Sequence, residues 1–235
     1  MGRHNTEKVC IRTRKVYDWV TRQIDVPLIS LTDDTLKTKF KCHGNKKDID
    51  ELCTFLENQG DVSVNCFLSD SDGNPIDPTM ENEDFIIREI MQPNGRHPVH
   101  VTLPTGDEVM LQKVKVIVKG FITVEILDAQ GMRLCVTKKP IPFATAQTFI
   151  LCAPEGTMID AHVNFFECDA TLICEPHDLQ QLDISITLCL EVQVEADVKL
   201  EVEGRFCKPR EEILEAALCP TEKFPPQCPE VFPAH

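Results

Sequence analysis

Several signatures are missing from this chain of 235 residues, and each absence narrows what it can be. No stretch approaches 18 consecutive apolar residues, which excludes a membrane-spanning helix. Residues Met1 to Lys15 contain no apolar core of a secretory signal, so synthesis without export is expected. Basic charge is short: 24 Lys and Arg stand against 38 Asp and Glu, a formal net charge of −14. Such a chain repels a phosphate backbone, which argues against general nucleic-acid binding. No G-x-S-x-G, P-loop or G-x-G-x-x-G is present. No two cysteines are spaced C-x-x-C, so zinc-ribbon and thioredoxin signatures are absent too.

Apolar residues, by contrast, make up 42% of the chain and are strongly patterned, which is not the composition of a disordered segment. The clearest pattern runs from Ile184 to Val202. Every even position there is apolar, and the odd positions are Ser, Thr, Cys, Glu, Gln, Asp or Lys. A period of two means strand, with one buried and one wet face. At about 3.3 Å per residue the run would reach some 60 Å, so two strands in phase or one strand crossing between sheets is expected. A second run, Val114, Val116 and Val118, resumes at Ile122, Val124 and Ile126. Gly120 between them reads as a bulge or bend.

Turn signals follow at regular intervals: Ser69 to Pro75, Asn94-Gly95, Thr105-Gly106-Asp107 and Asp128 to Gly131. Hairpins at this spacing point to a sandwich or barrel rather than βαβ units. Two short helices are expected. One is Asp48 to Gln59, with Ile49, Leu52, Cys53 and Leu56 on one face; the other is Pro209 to Leu218. Lys15 to Gln23, which holds the single Tyr17 and Trp19, fits a short helix or a strand. The fold class is therefore mainly β, an antiparallel β-sandwich with one or two short helices and a Pro/Cys-rich C-terminal tail. The expected organisation has four parts: a segment 1–36 joining the main domain, an inserted β-rich subdomain 37–110 with one helix, a main sandwich 111–207, and a helix and tail 208–235.

Twelve cysteines carry the most chemistry. A buried Cys in a strand is commonly a small core residue. Cys189 instead falls on the polar phase of its run, and Cys207, Cys219 and Cys228 flank or lie in the proline-rich end. Cys10 lies beside Arg12, Arg14 and Lys15, whose charge favours a thiolate. These five are the candidates for cross-linking between chains. Asp70, Asp72, Asn74 and Glu81 have the spacing of an EF-hand calcium loop, but Pro75 stands where that loop needs Gly, and the flanks read as strands. A solvated hairpin turn accounts for the same residues. No catalytic constellation or cofactor site is expected. His43 follows Cys42 directly, and neighbours on a strand point to opposite faces.

Lys15 to Val20, Lys113 to Gly120, and Leu182 to Arg210 with its Gly204-Arg205-Phe206-Cys207-Lys208-Pro209 end resemble spore coat or spore-envelope proteins of endospore-forming Firmicutes, in particular the β-rich domain of coat-assembly proteins. The resemblance covers roughly Cys10–Leu31 and Leu111–Arg210. It carries no catalytic residues, and no peptidoglycan-binding LysM module is visible. It implies synthesis in the mother-cell cytoplasm, deposition on the spore surface, and assembly with itself and with other coat proteins. The expected function is a structural, self-assembling coat or exosporium protein, cross-linked by disulfides. The alternatives are an adaptor recruiting other coat proteins and, behind it, a Cys-dependent enzyme.

Overall fold

The computed structural model describes residues 7–32, 35–36, 39–42, 56, 60–80, 82–175 and 179–204. Ten strands appear in chain order: β1 (Glu7–Thr32), β2 (Phe40–Cys42), β3 (Val62–Ser69), β4 (Ile86–Glu89), β5 (His97–Thr102), β6 (Glu108–Asp128), β7 (Arg133–Thr137), β8 (Ile141–Leu151), β9 (Met158–Glu175) and β10 (Leu179–Gly204). The fold is mainly β and antiparallel, a sandwich of a three-stranded sheet, β1-β10-β9, and a seven-stranded sheet built on β6. The chain divides into two compact units, residues 12–198 and residues 1–11 with 199–235. Both sheets of the sandwich are built in the first.

β6 is the spine of its sheet. β3 pairs with residues 121–128, β4 with 116–119 and β5 with 108–113. β8 pairs with 112–122 and β7 with 125–127. A residue offers each edge one partner, so the overlaps put β3, β4 and β5 end to end on one edge and β7 and β8 on the other. Residues 62–102 thus supply three strands to the same sheet as residues 108–151, and position 110 is not a boundary in it. The turn at Asn94-Gly95 also differs from a simple hairpin: β4 and β5, on either side of it, pair with β6 rather than with each other.

The two alternating runs build the core. Val114, Val116, Val118, Ile122, Val124 and Ile126 of β6 are fully buried, as are Leu182, Ile184, Leu188, Leu190, Val192 and Val194 of β10. Burying such a side chain is worth about 1.5–3 kcal/mol, which pins the register. β10 is one continuous strand within one sheet, not a crossing between two. Its apolar phase stops being buried after Val194, where its pairing with β9 ends at Glu195 opposite Met158.

Gly120 is not a bulge. Pairing with β8 runs unbroken from Gln112 to Ile122, with Gly120 opposite Phe143. Gly120 occupies a buried, inward position of β6, where a Cβ would lie 2.8 Å from Phe85 Cδ2 and 3.3 Å from Phe143 Cε1. The missing side chain makes room for three mutually packed rings, Phe85, Phe143 and Phe166, with centroids 5.9–6.5 Å apart. The bulge lies elsewhere. Between Cys189 and Leu190 the β9 partner jumps from Phe165 to Val163, leaving Asn164 as the extra residue. Inward residues of β9 are even beyond it (Phe166, Cys168, Ala170) and odd before it (Ile159, Ala161, Val163).

The helix expected at Pro209–Leu218 and the Pro/Cys-rich tail lie outside the described residues. Of Asp48–Gln59, only Leu56 is described; it is helical and buried. Lys15–Gln23 is strand, part of β1. The turn expected at Asp128–Gly131 is present. Asp128 accepts from the Gln130 and Met132 backbone N–H groups, and Gly131 supplies the required positive φ of 78°.

Candidate functional site

Cysteine chemistry divides into bonded and free thiols. Cys42 and Cys135 are direct partners in the β2–β7 ladder and are disulfide-bonded. Cys66 of β3 and Cys168 of β9 are bonded from one sheet to the other, with Cα atoms 5.3 Å apart. Cys174 is also disulfide-bonded. Among the described residues the free thiols are Cys10, Cys152 and Cys189.

Of the five cross-linking candidates, Cys10 is exposed and Cys189 is half-buried, while Cys207, Cys219 and Cys228 lie outside the described residues. Cys189 was expected on a wet face. It is screened because β10 is the middle strand of its sheet, with Phe165 of β9 directly opposite Cys189. Cys152 was missed. It is exposed in the turn after β8, whose alternating pattern of buried Phe149 and Leu151 would have placed the next residue outward.

One side of the sandwich carries its own edge protection. Arg22 of β1 donates from Nη1 to the Thr148 carbonyl of β8 at 3.0 Å, and its guanidinium lies 4.1 Å from the centre of the Phe149 ring. Asp18 Oδ2 accepts the Cys152 backbone N–H at 2.8 Å. Side chains of β1 therefore occupy backbone groups that a free β8 edge would offer to another chain. The opposite side is closed by the Cys66–Cys168 bond. Trp19 and Tyr17 are not core residues; Trp19 is 65% exposed on β1, and Lys15 Nζ lies 4.6 Å from the Tyr17 ring centre.

The Asp70 loop is held by its own hydrogen bonds. Asp70 Oδ1 accepts the Asp72 and Asn74 backbone N–H groups, and Oδ2 accepts the Asn74 side-chain amide at 2.9 Å. The Asn74 amide, followed by these backbone donors, holds the Asp70 carboxyl below the usual carboxylate range. Asp72 and Asn74 are exposed, and Glu81, the fourth ligand candidate, lies outside the described residues. Among the described residues no group of three or more His, Cys, Asp or Glu side chains is arranged to hold a metal ion.

A groove of about 470 Å³ opens where the β4–β5 loop meets the β8–β9 turn. Its floor is Arg96, which grips Glu89 through two parallel bonds of 2.8 Å and also donates to Thr157 Oγ1 and to the Ala153 and Thr157 carbonyls. All of the guanidinium is thus spent on joining two loops. Lys113, Lys115 and Glu155 line the groove beside it. None of the three forms an ion pair or side-chain hydrogen bond among the described residues. Among those residues no helix is long and apolar enough to cross a membrane.

No protein-family model, curated protein or solved structure matches this chain.

Proposed function

We propose that this chain is a structural, self-assembling subunit of a spore coat or exosporium, made in the mother cell and deposited on the spore surface, with disulfides joining neighbouring copies. The observation that carries the reading is the coexistence of oxidised and free cysteines. Cys42–Cys135 and Cys66–Cys168 are bonded within the framework, while Cys10 and Cys152 stand exposed and unpaired. A framework cross-linked internally suits an oxidising surface, and exposed thiols there exchange or oxidise. The resemblance of Lys15–Val20, Lys113–Gly120 and Leu182–Arg210 to coat proteins supplies the setting.

The test is non-reducing electrophoresis with light scattering of the purified chain after air oxidation. Covalent multimers that collapse on reduction, and that diminish in Cys10→Ser and Cys152→Ser variants, support the proposal. A monomer under both oxidising and reducing conditions sinks it. Deleting residues 220–235 separates the adaptor reading: loss of a coat partner with self-assembly intact would favour the adaptor.

A further inference from the structure

The chain carries a net charge of −14, yet one face of its β6 sheet is cationic. Even positions of β6 face the core, so Lys113, Lys115 and Lys119 project from the outer face, where all three are exposed. Residues paired directly across a ladder share a face. Lys119 is flanked by Ile86 and Ala144, Ile117 by Arg88 and Ala146, and Lys113 by His97 and Ile150. Lys115 stands beside Thr148. None of these neighbours is acidic. Arg88 is exposed as well, and none of the four cations has an ion pair among the described residues. Of the carboxylates bordering the stripe at the groove, Glu89 is held by Arg96, which leaves Glu155. Farther along β6, Glu125 is held by Arg133 at 2.8 Å.

The outer face of the other sheet has the opposite sign. Asp160, Glu167 and Asp169 of β9 lie opposite Gln193, Thr187 and Ser185, on the outward phase of β10, and all three are exposed. Asp183 and Glu191 share that phase. Some of the basic residues there are engaged: Arg14 bonds Glu195 at 3.2 Å, and the His162 ring lies 3.8 Å from Glu191. Asp160, Glu167 and Asp169 have no ion pair among the described residues.

The two rows can overlap over most of their length. Lys113 to Lys119 covers about 20 Å of strand, and Asp160 to Asp169 somewhat more, about 27 Å. Lys113 and Lys115 stand two residues apart, as Glu167 and Asp169 do, a spacing of about 6.6 Å in both rows.

We infer that the Arg88, Lys113, Lys115 and Lys119 face of one copy stacks on the Asp160, Glu167 and Asp169 face of a second copy. This rests on the self-assembly reading above and names its non-covalent contact. The two faces belong to different sheets of the sandwich, so the interface is head-to-tail, and repetition yields an open filament, or a ring where the rotation closes, rather than a two-fold dimer. At about 0.15 M salt the Debye length is about 8 Å, so the overall repulsion between acidic copies is screened while charges in contact still attract.

The experiment uses the full chain with its free thiols alkylated by iodoacetamide, which prevents covalent links between copies and leaves the Cys42–Cys135 and Cys66–Cys168 bonds intact. Sedimentation velocity is run at about 0.15 M salt and at about 1 M salt, where the Debye length is about 3 Å. Two triple variants are compared: Lys113→Glu with Lys115→Glu and Lys119→Glu, and Asp160→Lys with Glu167→Lys and Asp169→Lys. The wild type should assemble at the lower salt and disperse at the higher. Each variant alone should lose assembly, because its two faces then carry one sign. Mixed in equal amounts, the variants should recover it, because every face meets its complement. Recovery on mixing also shows that both variants are folded; Gln in place of the reversed residues, checked by near-ultraviolet circular dichroism, serves if either fails to fold.

Assembly of either variant alone at the wild-type level overturns the stacking while leaving self-assembly standing. So does assembly that is indifferent to salt. A wild type that stays monomeric both after air oxidation and with its free thiols alkylated overturns both. A wild type that stays monomeric yet binds poly-glutamate through the lysine face overturns the stacking in favour of a different acidic partner.

Discussion

Cys66 of β3 and Cys168 of β9 are bonded from sheet to sheet, 102 residues apart in sequence. The bond holds the side of the sandwich opposite the one where Arg22 and Asp18 of β1 reach the edge of β8. Closing a loop of that length restricts the unfolded chain strongly. Replacing both residues by Ser should cost about 2–5 kcal/mol. Denaturant unfolding at equilibrium checks this. A loss under 1 kcal/mol would mean that the sheets hold together without the bond.

Gly120→Ala should be destabilising by about 1–3 kcal/mol, although Ala is the smallest substitution available. The new methyl would press on Phe85, a buried ring locked between Phe143 and Phe166. A second change, Phe85→Leu, should recover part of the loss. Independent, additive effects of the two changes on thermal unfolding would show that they do not meet.

Arg96→Ala should cost about 3 kcal/mol, because it strands the Glu89 carboxylate, whose side chain is only 12% exposed. Arg96→Lys should recover little of it, since an ammonium cannot reproduce the paired bonds to Glu89 and the three further bonds to residues 153 and 157. Hydrogen exchange at Thr157 should rise in both variants. Unchanged protection there would refute the bracing role.

Arg22→Ala should change stability by less than about 1 kcal/mol but promote association. It frees the Thr148 carbonyl and uncovers the Phe149 ring at the edge of β8. Light scattering with the free thiols alkylated reads this directly. An increase is expected, and no change would mean that Asp18 and the rest of β1 suffice to guard that edge.

Acid should loosen the Asp70 turn. Its carboxyl titrates lower in the folded chain than in the unfolded one, so its contribution is complete above the usual carboxylate range and fades as pH falls through the depressed value. The Asn74 amide proton in a nuclear magnetic resonance titration should therefore move only below the range in which free carboxylates titrate. Asp77, held down by the Thr79 hydroxyl and backbone N–H, should follow the same course. A transition of the Asn74 amide within the ordinary carboxylate range would show that the turn lacks these bonds.

Much of this architecture was legible because period-two patterning is a direct consequence of strand geometry. The even residues of β6 and β10 announced both core faces, and the turns at Asp70, Asn94, Thr105 and Asp128 lie where Gly, Asn and Asp cluster. What escaped depended on neighbours. Gly120 looked like an interruption because a single sequence does not show the Phe rings that come from β4's leading turn and β8. β9 was obscure because Asn164 shifts its phase midway, so neither parity is apolar throughout. The pairing of cysteines was not readable, since Cys66 and Cys168 are joined by topology and not by spacing. The lysine face was visible as residues but not as a face, because its acid-free flanks come from β4, β5 and β8.

β1 and β10 are sheet neighbours, although one begins at Glu7 and the other ends at Gly204. During synthesis β1 must therefore wait for β10 before its ladder can form. Closure over so long a stretch of chain makes folding slow and leaves β1 as an unsatisfied template on the nascent polypeptide. Arg12 and Arg14 along it find their carboxylates, Asp197 and Glu195, only when β10 arrives.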